Sequence, residues 1–144
     1  MEINKAHIDT LPLLYTLEQQ IFDAESYPLS KRSLKTQIQK GNVYLATIDE
    51  KIAGYLLVFR YKYTMRIYSL GILSAYRKQR IGQSLITFII HQAKKEGYRT
   101  LSLEVNTSNH PAIELYAKLA FQPIKTLKNY YPNGDGLKMV LPLK

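Results

Sequence analysis

Ala75-Tyr76-Arg77-Lys78-Gln79-Arg80-Ile81-Gly82-Gln83-Ser84-Leu85 is the stretch on which the reading of this chain turns. It joins a strand predicted over 67–72 to a helix predicted over 83–95. A basic, turn-forming segment just before a helix aims free backbone N–H groups at one point. Those donors and the positive end of the helix dipole suit a phosphate or pyrophosphate. From Lys51 to Lys95 there is no Asp or Glu but nine Lys and Arg, and the rest of the chain has eleven of each sign. The formal net charge of +9 therefore resides in this one segment. An ordinary solvated turn is the competing reading. Placement of the charge beside a strand–turn–helix favours a phosphorylated cofactor over nucleic acid or a membrane surface.

Outward from that turn, the pattern gives ten elements in the order α-α-β-β-β-α-β-α-β-β. Asp9 and Pro12 open a first helix with an apolar stripe of Leu14, Leu17 and Ile21. A loop over 22–29 holds Tyr27-Pro28. Ser30 caps a second helix, which Gly41 ends. Strands are expected over 43–48, 51–61 and 63–73, the first two hinged at Asp49-Glu50. In the third helix Leu85, Ile86, Ile89, Ile90 and Ala93 line one side, and Gly97 closes it. Leu101, Leu103 and Val105 share one face of a strand over 100–105, which turns Ser102 and Glu104 to the other. Asn109 and Pro111 start a fourth helix that runs to about Leu119. Strands over 122–128 and 137–141 flank a loop, Tyr130-Tyr131-Pro132-Asn133-Gly134-Asp135-Gly136. A helix between two strands after antiparallel hairpins implies a mixed, mostly antiparallel α/β (α+β) sheet with helices on both faces. The 144 residues make one domain, 1–144.

Composition removes several classes. Hydrophobic residues at 46 % and charged residues at 22 % are ordinary globular values. With no cysteine there are no disulfides, zinc–thiolate sites or cysteine nucleophiles. His7, His91 and His110 lack ligand spacing, so no metal is expected. Glu2, Asp9 and Glu18 interrupt the N-terminal apolar positions, unlike a signal peptide. The longest apolar run, 85–90, falls short of the ~20 residues of a membrane helix. A cytoplasmic protein with no membrane or nucleic-acid partner is expected.

The residues Tyr76-Arg77-Lys78-Gln79-Arg80-Ile81-Gly82 resemble the acetyl-CoA signature of the GCN5-related N-acetyltransferases. Leu103-Glu104-Val105, Asn109, Ala112-Ile113-Glu114-Leu115-Tyr116 and Leu119-Ala120-Phe121 match later blocks of that family in order and spacing. The tail, Asn129-Tyr130-Tyr131-Pro132 to Asp135-Gly136, is similar to the branch that acetylates protein N-termini, those of ribosomal proteins among them. The resemblance implies acetyl-CoA as acetyl donor and direct transfer to an amine. It also implies backbone contacts to the pantetheine from Leu70, Gly71 and Ile72. Arg80 departs from the first signature glycine, where glycine lets the backbone approach the pyrophosphate. A helix-start position with negative φ would tolerate it. Gly82 keeps the second signature glycine, and a second, milder departure is Ala120 for the family's usual glycine before Phe121.

Transfer to an amine needs a neutral nucleophile, a thioester held close, and a proton for the departing thiolate. Glu104, turned away from the leucines, is the candidate base, against a solvated or ion-paired carboxylate. Tyr116 is the candidate acid, against a core tyrosine beside Ile113 and Ala120. Asn109 can bind pantetheine amides, cap the helix, or both. Tyr27, Tyr130 and Tyr131 are the candidate acceptor contacts, because a loop at the end of a rigid sheet carries specificity. A small amine (polyamine, amino acid, aminoglycoside) is the alternative acceptor within the same chemistry. A non-catalytic CoA-binding or RNA-associated module is the alternative outside it.

Overall fold

Strand and helix periodicities alternate along the chain, and a computed structural model, which describes residues 1–21 and 29–144, converts them into seven strands and four α-helices. In chain order these are β1 (Glu2–Lys5), α1 (Leu11–Ile21), α2 (Lys31–Gln39), β2 (Val43–Ile48), β3 (Lys51–Arg60), β4 (Thr64–Ile72), α3 (Ile81–Lys95), β5 (Thr100–Asn106), α4 (His110–Lys118), β6 (Gln122–Tyr131) and β7 (Gly134–Pro142). The strands form one sheet in the order β1-β2-β3-β4-β5-β7-β6. The β1–β2, β2–β3, β5–β7 and β6–β7 ladders are antiparallel, and β4–β5 is parallel.

Contacts divide the chain into two units, Met1–Val58 with Ser69–Ile86, and Phe59–Tyr68 with Thr87–Lys144. In the first, Leu14, Leu17, Leu34, Ile38 and the central residues of β2 and β3 are buried, together with Ile81, Leu85 and Ile86. In the second the core is Met65, Ile67, Ile89, Ala93, Leu101, Leu103, Val105, Phe121, Met139 and Leu143. Each fully buried aliphatic side chain contributes about 1.5–3 kcal/mol relative to exposure.

Three sequence expectations need correction. The expected order of elements lacks β1: Glu2–Lys5 contains a single aliphatic residue, and its strand geometry comes from pairing with β2. Asp9 lies inside a 3₁₀ turn, Ile8–Thr10, whose cap is His7, and α1 begins after it. Tyr130 and Tyr131 belong to β6, because the hairpin turn is only Pro132-Asn133 and Tyr131 pairs with Gly134. The expected hairpin at Asp49-Glu50 is present, with both residues at positive φ (51° and 66°), as the favoured two-residue turn requires.

Helix ends repeat one device. After α2, Gly41 N–H donates to Ile38 O (3.0 Å) and Asn42 N–H to Gln37 O (2.9 Å). After α3, Gly97 donates to Lys94 O and Tyr98 to Ala93 O, both at 3.0 Å. After α4, Ala120 donates to Ala117 O and Phe121 to Tyr116 O, again both at 3.0 Å. This pairing satisfies the last carbonyls and forces a left-handed residue just past the cap. Gly41 and Gly97 hold it at φ 74° and 85°, but α4 uses Ala120 at φ 75°. A Cβ there costs roughly 1–2 kcal/mol. Ala120→Gly is therefore expected to stabilise the fold by about 1 kcal/mol, net of glycine's greater chain entropy, a rise of ~3 °C in Tm. Thermal unfolding checks this; an unchanged or lower midpoint would show that Ala120 is unstrained.

Candidate active site

The basic turn is built as an anion cradle. β4 ends at Ile72, a 3₁₀ turn follows at Ser74–Tyr76, and Arg77 is extended (φ −66°, ψ 155°). Lys78 and Arg80 are then left-handed, at φ 66° and 60°. The negative φ expected at Arg80 is thus wrong, and the helix starts at Ile81 rather than at 83. Arg80 O accepts the first intrahelical bond, from Ser84 N–H (3.0 Å). The N–H groups of Ile81, Gly82 and Gln83 therefore precede the helical ladder. Alternation of φ sign along such a turn gathers successive N–H groups into a concavity for anions. Arg77, Lys78, Gln79 and Arg80 surround it, all four exposed. The donor set fits a pyrophosphate.

Leu70, Gly71 and Ile72 end β4 just before this cradle. The β4–β5 ladder covers Thr64–Ile67, with Ile67 opposite Leu103 as its last pair, while β4 itself continues to Ile72. Backbone groups of 68–72 on that edge lie beyond the ladder. Ser69, in the same stretch, belongs to a polar cluster within the core. Its Oγ donates to Glu18 Oε1 (3.0 Å), and the side chain of Glu18 is fully buried. Among the described residues, Glu18 Oε2 and Tyr55 Oη are buried without a hydrogen bond of good geometry. Burial pushes the Glu18 carboxyl up to about 7, against the lowering effects of Ser69 and the nearby Tyr55 phenol. Burial and the Glu18 charge raise the Tyr55 phenol as well.

The second unit carries the chemical groups. The parallel register sets Arg66 opposite Ser102. Arg66 Nε then donates to Glu104 Oε1 (2.7 Å), its Nη2 lies 2.6 Å from the same oxygen, and Nη2 also donates to Tyr130 Oη (3.1 Å). Glu104 is thus an ion-paired carboxylate. Its side chain is only 11 % exposed, and Oε2 has no hydrogen bond among the described residues. Arg66 also lies over the Tyr68 ring, 5.5 Å from its centroid. Burial disfavours the Arg66 cation, but Glu104, with help from its tyrosine neighbours, more than offsets this and raises its pKa.

A β-bulge aims the tyrosines. The β6–β7 register slips between Leu127 and Tyr131, where Asn129 is left-handed (φ 55°) and its N–H donates to Asp135 Oδ1 (2.8 Å). Bulges redirect side chains in this way. Tyr130 lies so close over Gly136 that a Cβ there would sit 3.0–3.1 Å from three atoms of the tyrosine, so only glycine leaves the ring its place. The Tyr130 and Tyr131 rings meet edge to face at 4.9 Å. Burial, then the neighbouring Tyr130, Glu104 and Tyr116, raise the Tyr131 pKa against the lowering effect of Arg66. Arg66, Glu104, Tyr116, Tyr130 and Tyr131 therefore form one electrostatic cluster.

Tyr116 is 8 % exposed, and burial pushes its phenol up to about 12. It packs against Phe121, with ring centroids 5.8 Å apart, not as a stack but edge on. Its hydroxyl has no hydrogen bond among the described residues. Asn109 caps α4, its Oδ1 accepting from Ala112 N–H at 3.3 Å. Tyr27 lies outside the described residues. Sequence reasoning missed Arg66, Glu18 and Ser69. Glu18 had a readable signal, an acid one helical turn from Leu14 within the apolar stripe. Arg66 had none, since its contact depends on strand register.

The acetyltransferase (GNAT) family model matches residues 11–121. A [ribosomal protein bS18]-alanine N-acetyltransferase of Escherichia coli K12 is 30 % identical over 98 % of this chain and 97 % of its own. An N-alpha-acetyltransferase of Sulfurisphaera tokodaii is 33 % identical over 69 % of this chain and 68 % of its own. The crystal structure of the ribosomal-protein-S18-alanine N-acetyltransferase from Escherichia coli superposes with a TM-score of 0.88 at 27 % identity, over 99 % of this chain and 94 % of that one.

The buried acid gives a pH dependence of stability. In the folded state Glu18 keeps its proton up to about pH 7, against 4.5 for an unperturbed carboxyl. The folded state binds the extra proton in that window, so stability falls as pH rises from 4.5 to about 7 and levels off above. The loss is on the order of 3 kcal/mol at most. Glu18→Gln, which keeps an oxygen for Ser69, is expected to abolish this slope and to exceed wild-type stability at pH 8. Urea unfolding at pH 5 and pH 8 checks it, and parallel losses in both proteins would refute it.

Proposed function

Since the chain belongs to the acetyltransferase (GNAT) family and is an acetyl-CoA-dependent N-acetyltransferase of that type, we propose that its acceptor is the N-terminal α-amine of a protein or peptide, a ribosomal protein being the leading candidate. The single observation that carries this reading is the cluster of Glu104, Arg66, Tyr116, Tyr130 and Tyr131, which combines a paired carboxylate, a protonated phenol and two aromatic rings. The names of the Escherichia coli and Sulfurisphaera relatives, which specify an alanine of bS18 and α-amines, support it. The reading takes 1–144 as one catalytic domain working in the cytoplasm. Among the described residues no helix is long and apolar enough to cross a membrane.

Acetyl-CoA, when bound, supplies an acetyl thioester. The cradle of Arg77, Lys78, Gln79, Arg80, Ile81, Gly82, Gln83 and Ser84 holds its pyrophosphate, while the backbone of Leu70, Gly71 and Ile72, with Asn109, holds its pantetheine. Glu104 Oε2 receives the proton that the acceptor nitrogen loses as its bond to the acetyl carbon forms, directly or through water. Tyr116 Oη gives a proton to sulfur as the C–S bond breaks. Its raised pKa keeps that proton in place throughout the neutral range. The same burial makes the proton harder to release, so transfer coincides with departure, when sulfur carries most charge. Tyr130 and Tyr131 flank the first peptide units of the acceptor.

Two measurements test the reading. Short peptides that begin with Ala or Ser are expected to outperform spermidine and free alanine as acceptors in kcat/KM; a polyamine or free amino acid that beats every peptide would transfer the assignment to small amines. Tyr116→Phe is expected to lower kcat by ~10²-fold or more with little change in acetyl-CoA affinity. A Phe variant with wild-type turnover would return Tyr116 to the core.

A further inference from the structure

Glu104 does not stand alone: both Nε and Nη2 of Arg66 converge on its Oε1. The third contact of the guanidinium, Nη2 to Tyr130 Oη at 3.1 Å, ties the pair to a tyrosine on β6. From this geometry we infer that Arg66 is a positioning and specificity-determining residue, which fixes Glu104 to act through Oε2 and restricts the acceptor to α-amines over lysine ε-amines. The inference rests on the reading of Glu104 as the base.

The selection follows from charge and acid–base balance. A cation held against a carboxylate in a half-buried site cancels much of its field. Glu104 and Arg66 are 11 % and 26 % exposed, so water screens the pair only partly. At pH 7.5 about a quarter of an α-amine with pKa ~8 is already neutral, against roughly 0.1 % of a lysine amine at ~10.4. The lysine side chain therefore arrives almost wholly as an ammonium, which a lone carboxylate would draw in. Arg66 removes that attraction by pairing with Glu104. Its own charge is secure, and its place is fixed by Glu104, Tyr130 and the Tyr68 ring. Nothing in the composition pointed to this role, since Arg66 is one of nine cations in the acid-free segment.

Two acceptors measure it: a lysine-free peptide with a free N-terminal Ala, and an Nα-blocked peptide with one internal Lys. The ratio of kcat/KM for the first over the second is determined with acetyl-CoA for wild type, Arg66→Met, Arg66→Gln and Arg66→Lys. Both neutral variants are expected to lower the ratio at least ten-fold. The fall should come mainly from a lower KM for the lysine peptide, because Glu104 has lost its cation and attracts the ammonium. Arg66→Lys, which keeps the charge, should stay within about three-fold of wild type. If Met does not fold, as judged by circular dichroism, Gln carries the test with a side chain that can still donate to Glu104. A ratio that stays constant while both activities fall together would overturn the inference and make Arg66 merely structural. Glu104→Gln is run alongside to separate the two levels. If it keeps wild-type turnover, the assignment of Glu104 as base fails and takes the Arg66 inference with it; if it is impaired while the Arg66 ratio holds, only the Arg66 inference falls.

Discussion

The four-residue parallel ladder between β4 and β5 is the constraint on which the candidate chemistry depends. It fixes Arg66 opposite Ser102, and the guanidinium reaches Glu104 two residues further along β5. A slip of one residue would turn Arg66 onto the face of the sheet that Met65 and Ile67 now occupy, and those two onto the other. β5 is in turn held on its other edge by an uninterrupted ladder to β7, from Thr100 opposite Pro142 to Asn106 opposite Gly136. That ladder carries register to the β6–β7 hairpin, where the bulge at Asn129 sends Tyr130 back toward Arg66. The ion pair contributes little net stability by itself, because desolvation opposes it, and its importance lies in orientation.

Arg80 and Ala120 are both left-handed residues that carry side chains. Arg80 occupies the turn before α3, and Ala120 follows α4, its N–H donating back to Ala117 O. Each backbone conformation is imposed by hydrogen bonds around it, so the side chain accepts strain rather than causing it. At Arg80 the strain brings a further exposed cation beside three helix N–H groups that precede the ladder. At Ala120 nothing in the structure explains the methyl group.

The sequence was most legible where local rules act alone. The order of the predicted elements, the turn at Asp49-Glu50, the caps at Ser30 and Asn109 and the closures at Gly41 and Gly97 all follow from short-range chemistry. It was least legible where distant segments decide. β1 exists because β2 offers it an edge, and Tyr130 and Tyr131 are in a strand because a bulge lengthens it. The sign of φ at Arg80 depends on how β4 feeds into α3, which residue preference alone could not reveal. Glu104 and Tyr116 were singled out as candidates by type and spacing, but the guanidinium bound to Glu104 was not, since nothing local links positions 66 and 104.

The closure of α4 has an evolutionary consequence. Phe121 N–H bonds to Tyr116 O, and the two rings of these residues pack edge on over the same turn. The ring of Tyr116 is thus part of the latch that ends the helix, while its hydroxyl is the group proposed as the acid. A lineage that loses the whole side chain loses the latch as well, and selection against unfolding removes it. A lineage that loses only the oxygen keeps a sound helix end. Descendants that abandon acetyl transfer but retain the fold should therefore carry Phe at this position far more often than any aliphatic residue.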